Sequence, residues 1–290
     1  MAGATTWPNG KRVAVLVSVL LENWSPGKSP TYFPRTTPLK PGAVDHAAMQ
    51  WSHYGGREGI WRILALLERR NVKATVFANA LSAELYPDAI AAIVRAGHGL
   101  AGHGYAQDQY LCDLAPAEQQ AVIRRSLDTL ERVGGTRPQG WVCSVYSWNE
   151  ATFDLLVREG VRWHADALDA SQPRLQQTPS GSIVALPWCD FVDNRVLRAS
   201  PRDYFDVYKD SFDFLRASEP MGLLHLAVHS HFGGRPLIAA QLEKLLDTIA
   251  GSPDAWLVRH DELVAWFLAQ PQGALAARRP FTNPDGAALS

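Results

Sequence analysis

Val13 to Leu20 is an almost unbroken apolar run, VAVLVSVL, with no alternation of wet and dry positions. Such a run suits a strand covered on both faces, and that requires a parallel sheet clad with helices. The rest of the chain supplies them. Ile60, Ile63, Leu64 and Leu67 share one helical face, and Lys73 to Phe77 reads as the next strand. A helix over Pro87 to Ala96 leads to a strand ending at His103. Pro116 opens a helix carrying Ile123, Leu127 and Leu130. Gly140 to Cys143 is a short strand, and Asn149 caps a helix with Phe153, Leu156 and Val157. Further strands fall at Val161 to His164, Ile183 to Leu186, Leu223 to Val228 and Trp256 to Val258. Helices bearing Tyr208, Phe212 and Leu215, then Ile238, Leu242, Leu245 and Ile249, separate the later ones. Strands alternating with helices imply right-handed crossovers. No Gly-x-Gly-x-x-Gly follows the first strand, so a closed or nearly closed α/β barrel is favoured over a dinucleotide-binding sheet.

Two stretches break the pattern. Ser25 to Tyr54 holds five prolines (Pro26, Pro30, Pro34, Pro38 and Pro41) and reads as a long functional loop. Residues 271–290 are rich in Ala, Gly and Pro and read as a C-terminal tail. The barrel domain is expected over residues 1–270.

A net charge of -1 carries no footprint for nucleic acid or an anionic membrane. With 47% hydrophobic and 20% charged residues, the composition is that of a globular enzyme. Val13 to Leu21 is too short to span a bilayer, which needs about 20 residues. Cys112, Cys143 and Cys189 form an odd, unpaired set that fits a reducing cytoplasm. No secretory signal precedes Lys11. A cytoplasmic protein with a small-molecule substrate, and with neither nucleic-acid nor membrane partners, is expected.

Barrels of this kind place their chemistry at the C-terminal ends of strands. Four predicted strand ends carry acid–base or ligand side chains in chain order. They are Glu22, His103 between two glycines, Asp166 in Trp163-His164-Ala165-Asp166, and His229 with His231 before Gly233-Gly234. By the two-residue period of a strand, His225, His229 and His231 share one face. Of these, His225 reads as buried and hydrogen-bonded. Leu186 to Asn194 adds an aromatic wall and carboxylates, with Trp188 and Asp190 as ligand contacts; Asp190 and Asp193 are equally open to capping roles. A second imidazole four residues after His103 would complete a metal pair, but Gln107 stands there, and an amide is a poor zinc ligand. His98 reads as structural, and Cys143 as core filler rather than a nucleophile.

Several segments together resemble the polysaccharide deacetylase superfamily, in particular its allantoinase-like branch of cyclic amide hydrolases. They are Tyr54 to Arg62 (YGGREGIWR), Val72 to Thr75, Gly97 to Gly104, Arg137 to Trp141, and His229 through Gly234-Arg235-Pro236. The resemblance spans most of Arg12 to Phe267. It implies a distorted barrel of about seven β/α units and hydrolysis of carbon–nitrogen bonds other than peptide bonds. It also implies paired aspartates where this chain has Leu20, Leu21 and Glu22, and a histidine where it has Gln107. Allantoinase-like members depart at the same positions and are regarded as not needing the metal, so no cofactor is expected. His229 matches the family's late catalytic histidine. By analogy with relatives, a homo-oligomer is expected.

The reading that follows is an amidohydrolase opening a small cyclic amide, imide or ureide. Glu22 or His103 activates water and His229 protonates the leaving nitrogen. Trp188, Asp190, Gln107 and Asp108 read the ring's polar edge, with Asp166 and His231 beside them, and Arg57 and the Pro-rich loop close the site. Two alternatives stand. One is a deacetylase of a small acetylated sugar or amine, with Zn2+ on Glu22, His103 and His229 or His231. The other is a catalytically inactive barrel that binds a ligand.

Overall fold

The computed structural model describes residues 6–189 and 191–270. The expected tail, 271–290, and Asp190 lie outside the described residues. In chain order the elements are β1 (Val13–Leu21), α1 (His46–Tyr54), α2 (Ile60–Arg69), β2 (Thr75–Ala78), α3 (Ala80–Leu85), α4 (Pro87–Arg95) and β3 (Gly99–Gly102). Next come α5 (Pro116–Gly134), β4 (Gly140–Trp141), α6 (Thr152–Arg158), β5 (Trp163–Ala167), β6 (Arg174–Thr178) and β7 (Gly181–Pro187). The described residues end with α7 (Arg202–Ser218), β8 (Gly222–His229), α8 (Ser230–Gly233), α9 (Pro236–Ala250), β9 (Ala255–Leu257) and α10 (His260–Leu268).

The strands pair in the order β6-β7-β5-β4-β3-β2-β1-β8, and β9 joins the start of β1. Along this path β7 through β8 are parallel, and only β6, a polar strand, is antiparallel, on β7. This is the α/β barrel expected, with its ladder open between β7 and β8. No helix among the described residues is long and apolar enough to cross a membrane.

The pleat of β1 sorts the core into two compartments. Val13, Val15, Val17, Val19 and Leu21 pack outward on helix residues such as Ile60, Ile63, Leu242 and Leu246. Ala14, Leu16 and Leu20 point inward with Phe77, Val142, Trp163, Leu186 and Trp188. Burying alternate positions on opposite faces is why the run carries no polarity alternation. Ser18 shares the inward parity and is paired: its hydroxyl oxygen lies 2.5 Å from His225 Nε2. Glu22, the next inward position past the strand end, therefore opens into the barrel mouth.

The Pro-rich segment is shorter than the sequence pattern predicts. Asp45 accepts a hydrogen bond from the Ala48 N–H at 3.0 Å and starts α1, so Ser25 to Asp45 is loop and His46 to Tyr54 is helix. After α1 the chain widens into a π-turn, Gly55–Gly59. There a Cβ on Gly59 would lie 1.9 Å from the Ser230 carbonyl oxygen. Only glycine allows the backbones of this turn and α8 to meet.

Candidate active site

Glu22, His103, His229 and His231 arrive from three different strand ends and meet in one place. Glu22 and His103 follow the inward parity of β1 and β3, and His229 ends β8 in phase with His225 and Ala227. His103 Nε2 lies 3.2 Å from Glu22 Oε1, and His229 Nε2 lies 3.6 Å from the same oxygen. All four side chains are buried, with Glu22 only 1% exposed.

His103 and His229 are each aimed by a partner at the other ring nitrogen. His103 Nδ1 donates to the Val142 carbonyl at 2.9 Å. His229 Nδ1 donates to Asp193 Oδ1 at 2.5 Å, while the His229 main-chain N–H donates to Asp193 Oδ2 at 3.0 Å. Both Nε2 atoms are thereby turned toward Glu22. The His103 carbonyl in turn accepts from Asn79 Nδ2 and from the Ser144 hydroxyl.

Burial and charge act against each other here. Burial alone would raise the Glu22 pKa, but the His229 charge, the His103 hydrogen bond and the two other imidazole charges lower it to about 2. Burial likewise opposes a charged His229, yet Glu22 and Asp193 raise its pKa to about 9. The third imidazole goes the other way: burial, followed by the His229 charge, lowers His231 to about 3. At neutral pH the centre therefore holds an ionised Glu22, a protonated His229 and a neutral His231.

The structure brings the other expected residues together only in part. Gln107 is buried beside the site, its N–H bonded to the Asn23 carbonyl at 2.9 Å and its Oε1 3.5 Å from Asn79 Nδ2. Asp108 accepts the Ser25 N–H at 2.7 Å and so ties down the start of the Pro-rich loop. Arg57 is exposed on the π-turn, where its charge acts on Tyr86 and His53. Trp188 packs inside the barrel, 4.5 Å from the His225 ring and 5.7 Å from Phe77. Asp166 is turned away from Glu22. Inward Trp163 and Ala165 set the parity of β5, so Asp166 faces the outer layer, where it accepts the Cys143 N–H at 2.9 Å.

The expected site lacked Asp193 and Tyr32. Asp193 lies within the Leu186 to Asn194 stretch, which the sequence marks as carboxylate-bearing while leaving Asp193 open to a capping role. Tyr32 lies within the Pro-rich loop, whose pattern singles out no residue; its hydroxyl reaches His231 Nε2 at 2.9 Å and Glu22 Oε2 at 3.5 Å.

Residues 50–164 match the family model for polysaccharide deacetylase. A peptidoglycan deacetylase of Helicobacter pylori is 22% identical over 252 residues, covering 74% of this chain and 85% of that protein. Among solved structures, a probable polysaccharide deacetylase from Pseudomonas aeruginosa PAO1 is 26% identical at a TM-score of 0.79, covering 91% of this chain and 93% of that one. Puue allantoinase is 25% identical at a TM-score of 0.81, with the same coverage of 91% and 93%. The resemblance read from the sequence holds, both for the superfamily and for the barrel.

These matches correct one expectation. Polysaccharide deacetylases are typically metal-dependent, so the absence of a cofactor is not what this kinship predicts. Among the described residues, no group of three or more His, Cys, Asp or Glu side chains is arranged to hold a metal ion. The donor chemistry nevertheless suits a divalent metal: a carboxylate and imidazoles, the latter with Nδ1 anchored on His103 and His229. Ligands about 2.1 Å from a tetrahedral zinc lie about 3.4 Å apart, close to the 3.2 and 3.6 Å separating Glu22 Oε1 from the two Nε2 atoms.

Proposed function

We propose that this chain, a relative of the polysaccharide deacetylases over residues 50–164, hydrolyses a non-peptide carbon–nitrogen bond and opens a small cyclic amide, imide or ureide. The observation that carries this reading is the oppositely tuned pair: ionised Glu22 and protonated His229, 3.6 Å apart and both buried. Hydrolysis of an amide needs an acceptor for the proton of water and a donor for the departing nitrogen. Environments that push two groups in opposite directions provide both.

Glu22 is the proton acceptor, and His103, held on Val142, fixes its carboxylate. His229 is the proton donor. Asp193 keeps its Nδ1–H engaged, so the proton it delivers leaves from Nε2. Gln107 and Asp108 line the approach. A divalent metal would be held by Glu22, His103 and one of His229 or His231, and would polarise water and the scissile carbonyl.

A small ring is favoured over a polymer because the Pro-rich loop covers the mouth: Tyr32 stands over Glu22 and His231, with Trp24 and Trp51 around it. The similarity to Puue allantoinase supports the same choice. The second reading, deacetylation of a small acetylated sugar or amine, is favoured by the similarity to the H. pylori peptidoglycan deacetylase. A turnover screen over allantoin, hydantoin, succinimide and N-acetylglucosamine separates the two. Ring opening supports the first reading, and acetate release from the sugar alone overturns it in favour of the second.

A further inference from the structure

We propose that Tyr32 is a substrate-contacting residue, its phenolic O–H presented by His231 to the carbonyl oxygen of the bound amide. The inference rests on the hydrolase reading of the Glu22–His229 centre and adds a side-chain hydrogen-bond donor to it. The Glu22 carboxylate offers no hydrogen to the negative charge that develops on the carbonyl oxygen, and His229 serves the leaving nitrogen.

The surroundings of His231 fix its tautomer. Its Nδ1 is buried and has no hydrogen-bond partner, whereas its Nε2 lies 2.9 Å from the Tyr32 hydroxyl. A buried N–H without an acceptor is rarer and costlier than an unmet lone pair. The ring proton therefore belongs on Nε2, which donates to the Tyr32 oxygen, and not on Nδ1. That leaves the hydroxyl hydrogen of Tyr32 to find an acceptor of its own, and the only one within reach among the described residues is Glu22 Oε2 at 3.5 Å. For an O–H donor this is a long bond, well beyond the usual 2.5–3.0 Å.

A strong donor thus sits at the reaction centre with a poor acceptor. A carbonyl oxygen entering between Tyr32 and Glu22 would give that hydrogen a short partner and would gain strength as charge develops on it. Tyr32 donates a hydrogen bond and keeps its proton. In the same movement Glu22 Oε2 loses its only phenolic contact and is released toward the attacking water.

The placement is built rather than accidental. The loop has no regular structure, but Arg35 Nε and Nη2 bind the Asp45 carboxylate at 3.1 and 2.6 Å, and Asp45 also caps α1. That clamp fixes the loop three residues from Tyr32. The Trp51 ring packs 6.0 Å from Tyr32 and 4.8 Å from His231, and Trp24 closes the other side of His231 at 5.6 Å.

The test is Tyr32→Phe, which keeps the ring and removes the donor. Steady-state kinetics on allantoin, hydantoin, succinimide and N-acetylglucosamine are combined with thermal melting and a crystal of the wild-type protein soaked in acetate. A kcat about 100-fold lower, with KM within about threefold and an unchanged melting temperature, is expected, since loss of one such donor typically costs about 10²–10³-fold. In the soaked crystal an acetate oxygen should lie within hydrogen-bonding distance of the Tyr32 hydroxyl. Unchanged kcat in an active enzyme overturns the role of Tyr32 and leaves the hydrolase reading standing. A melting temperature that falls together with kcat reduces Tyr32 to a packing residue and also overturns it. If the wild-type protein acts on none of the four compounds, the hydrolase reading fails, and the soak alone decides: acetate on Tyr32 supports the donor, while acetate elsewhere or absent overturns it.

Discussion

One carboxylate holds His229 at both ends: Asp193 Oδ1 accepts from the ring Nδ1 at 2.5 Å, and Oδ2 accepts from the main-chain N–H of the same residue at 3.0 Å. Asp193 is itself fully buried. Such a grip fixes the rotamer and the tautomer together and favours the charged imidazole. Asp193→Asn keeps the shape but offers an amide where the ring nitrogen needs an acceptor. Turnover should fall by about 10²-fold or more, with KM little changed, as when a histidine is left in the wrong tautomer. Equal kcat values for the two proteins in steady-state assays would remove Asp193 from the catalytic arrangement.

Glu22 and His103, with one of His229 or His231, should make the fold sensitive to divalent metal. After exhaustive dialysis against chelator, added zinc should raise the melting temperature, because a ligand bound only by the folded state adds about 2.7 kcal/mol at 100 times its dissociation constant. The rise should vanish in Glu22→Ala. Calorimetric scans with and without zinc provide the check, and identical responses from the two proteins would place the metal elsewhere.

The π-turn meets α8 with no space between backbones. A methyl on Gly59 would lie 1.9 Å from the Ser230 carbonyl oxygen, and one on Gly234 would lie 2.3 Å from the Gly59 Cα. Gly59→Ala should therefore destabilise the protein by about 3 kcal/mol, at the upper end of ordinary overpacking. It should also weaken activity, because His231 rides on α8. Urea unfolding midpoints would show the loss; a wild-type midpoint would mean that the two segments can part freely.

Beneath the site, His225 is locked neutral inside the barrel. Its Nδ1 donates to the Pro187 carbonyl at 3.0 Å and its Nε2 accepts from Ser18 at 2.5 Å, with His260 Nε2 3.3 Å away. Burial lowers the His225 pKa from 6.5 to about 4 and drives His260 down as well. The unfolded chain binds these protons first, so stability is full above about pH 6.5. It falls as the pH drops toward 4, by about 3 kcal/mol for His225. His225→Asn should flatten this slope in urea titrations between pH 7 and pH 4.5. A slope equal to wild type would show that other groups govern acid unfolding.

Much of this arrangement is legible in the residues taken in order. The unbroken run of β1 requires a strand buried on both faces, and a period of two from Val13 already sends Glu22 inward. The same period puts His225 and His229 on one face of β8, and the glycines around His103 mark a strand end. Three positions show where that reading runs out. Asp166 lies one residue inside the end of β5, on the opposite parity to inward Trp163 and Ala165, and a shift of one residue reverses every side chain. Tyr32 lies in a loop and Asp193 opens a single 3-10 turn, Asp193–Val196, where no periodicity announces direction. The barrel's open seam between β7 and β8 carries Asp193 up to His229, and the Arg35–Asp45 clamp carries Tyr32 over Glu22. Local pattern and burial determine which elements form and which face they hide, because both act over a few residues. Convergence of residues 22, 32, 103, 193 and 229 depends on strand order, register and loop path, and those are set by packing across the whole barrel.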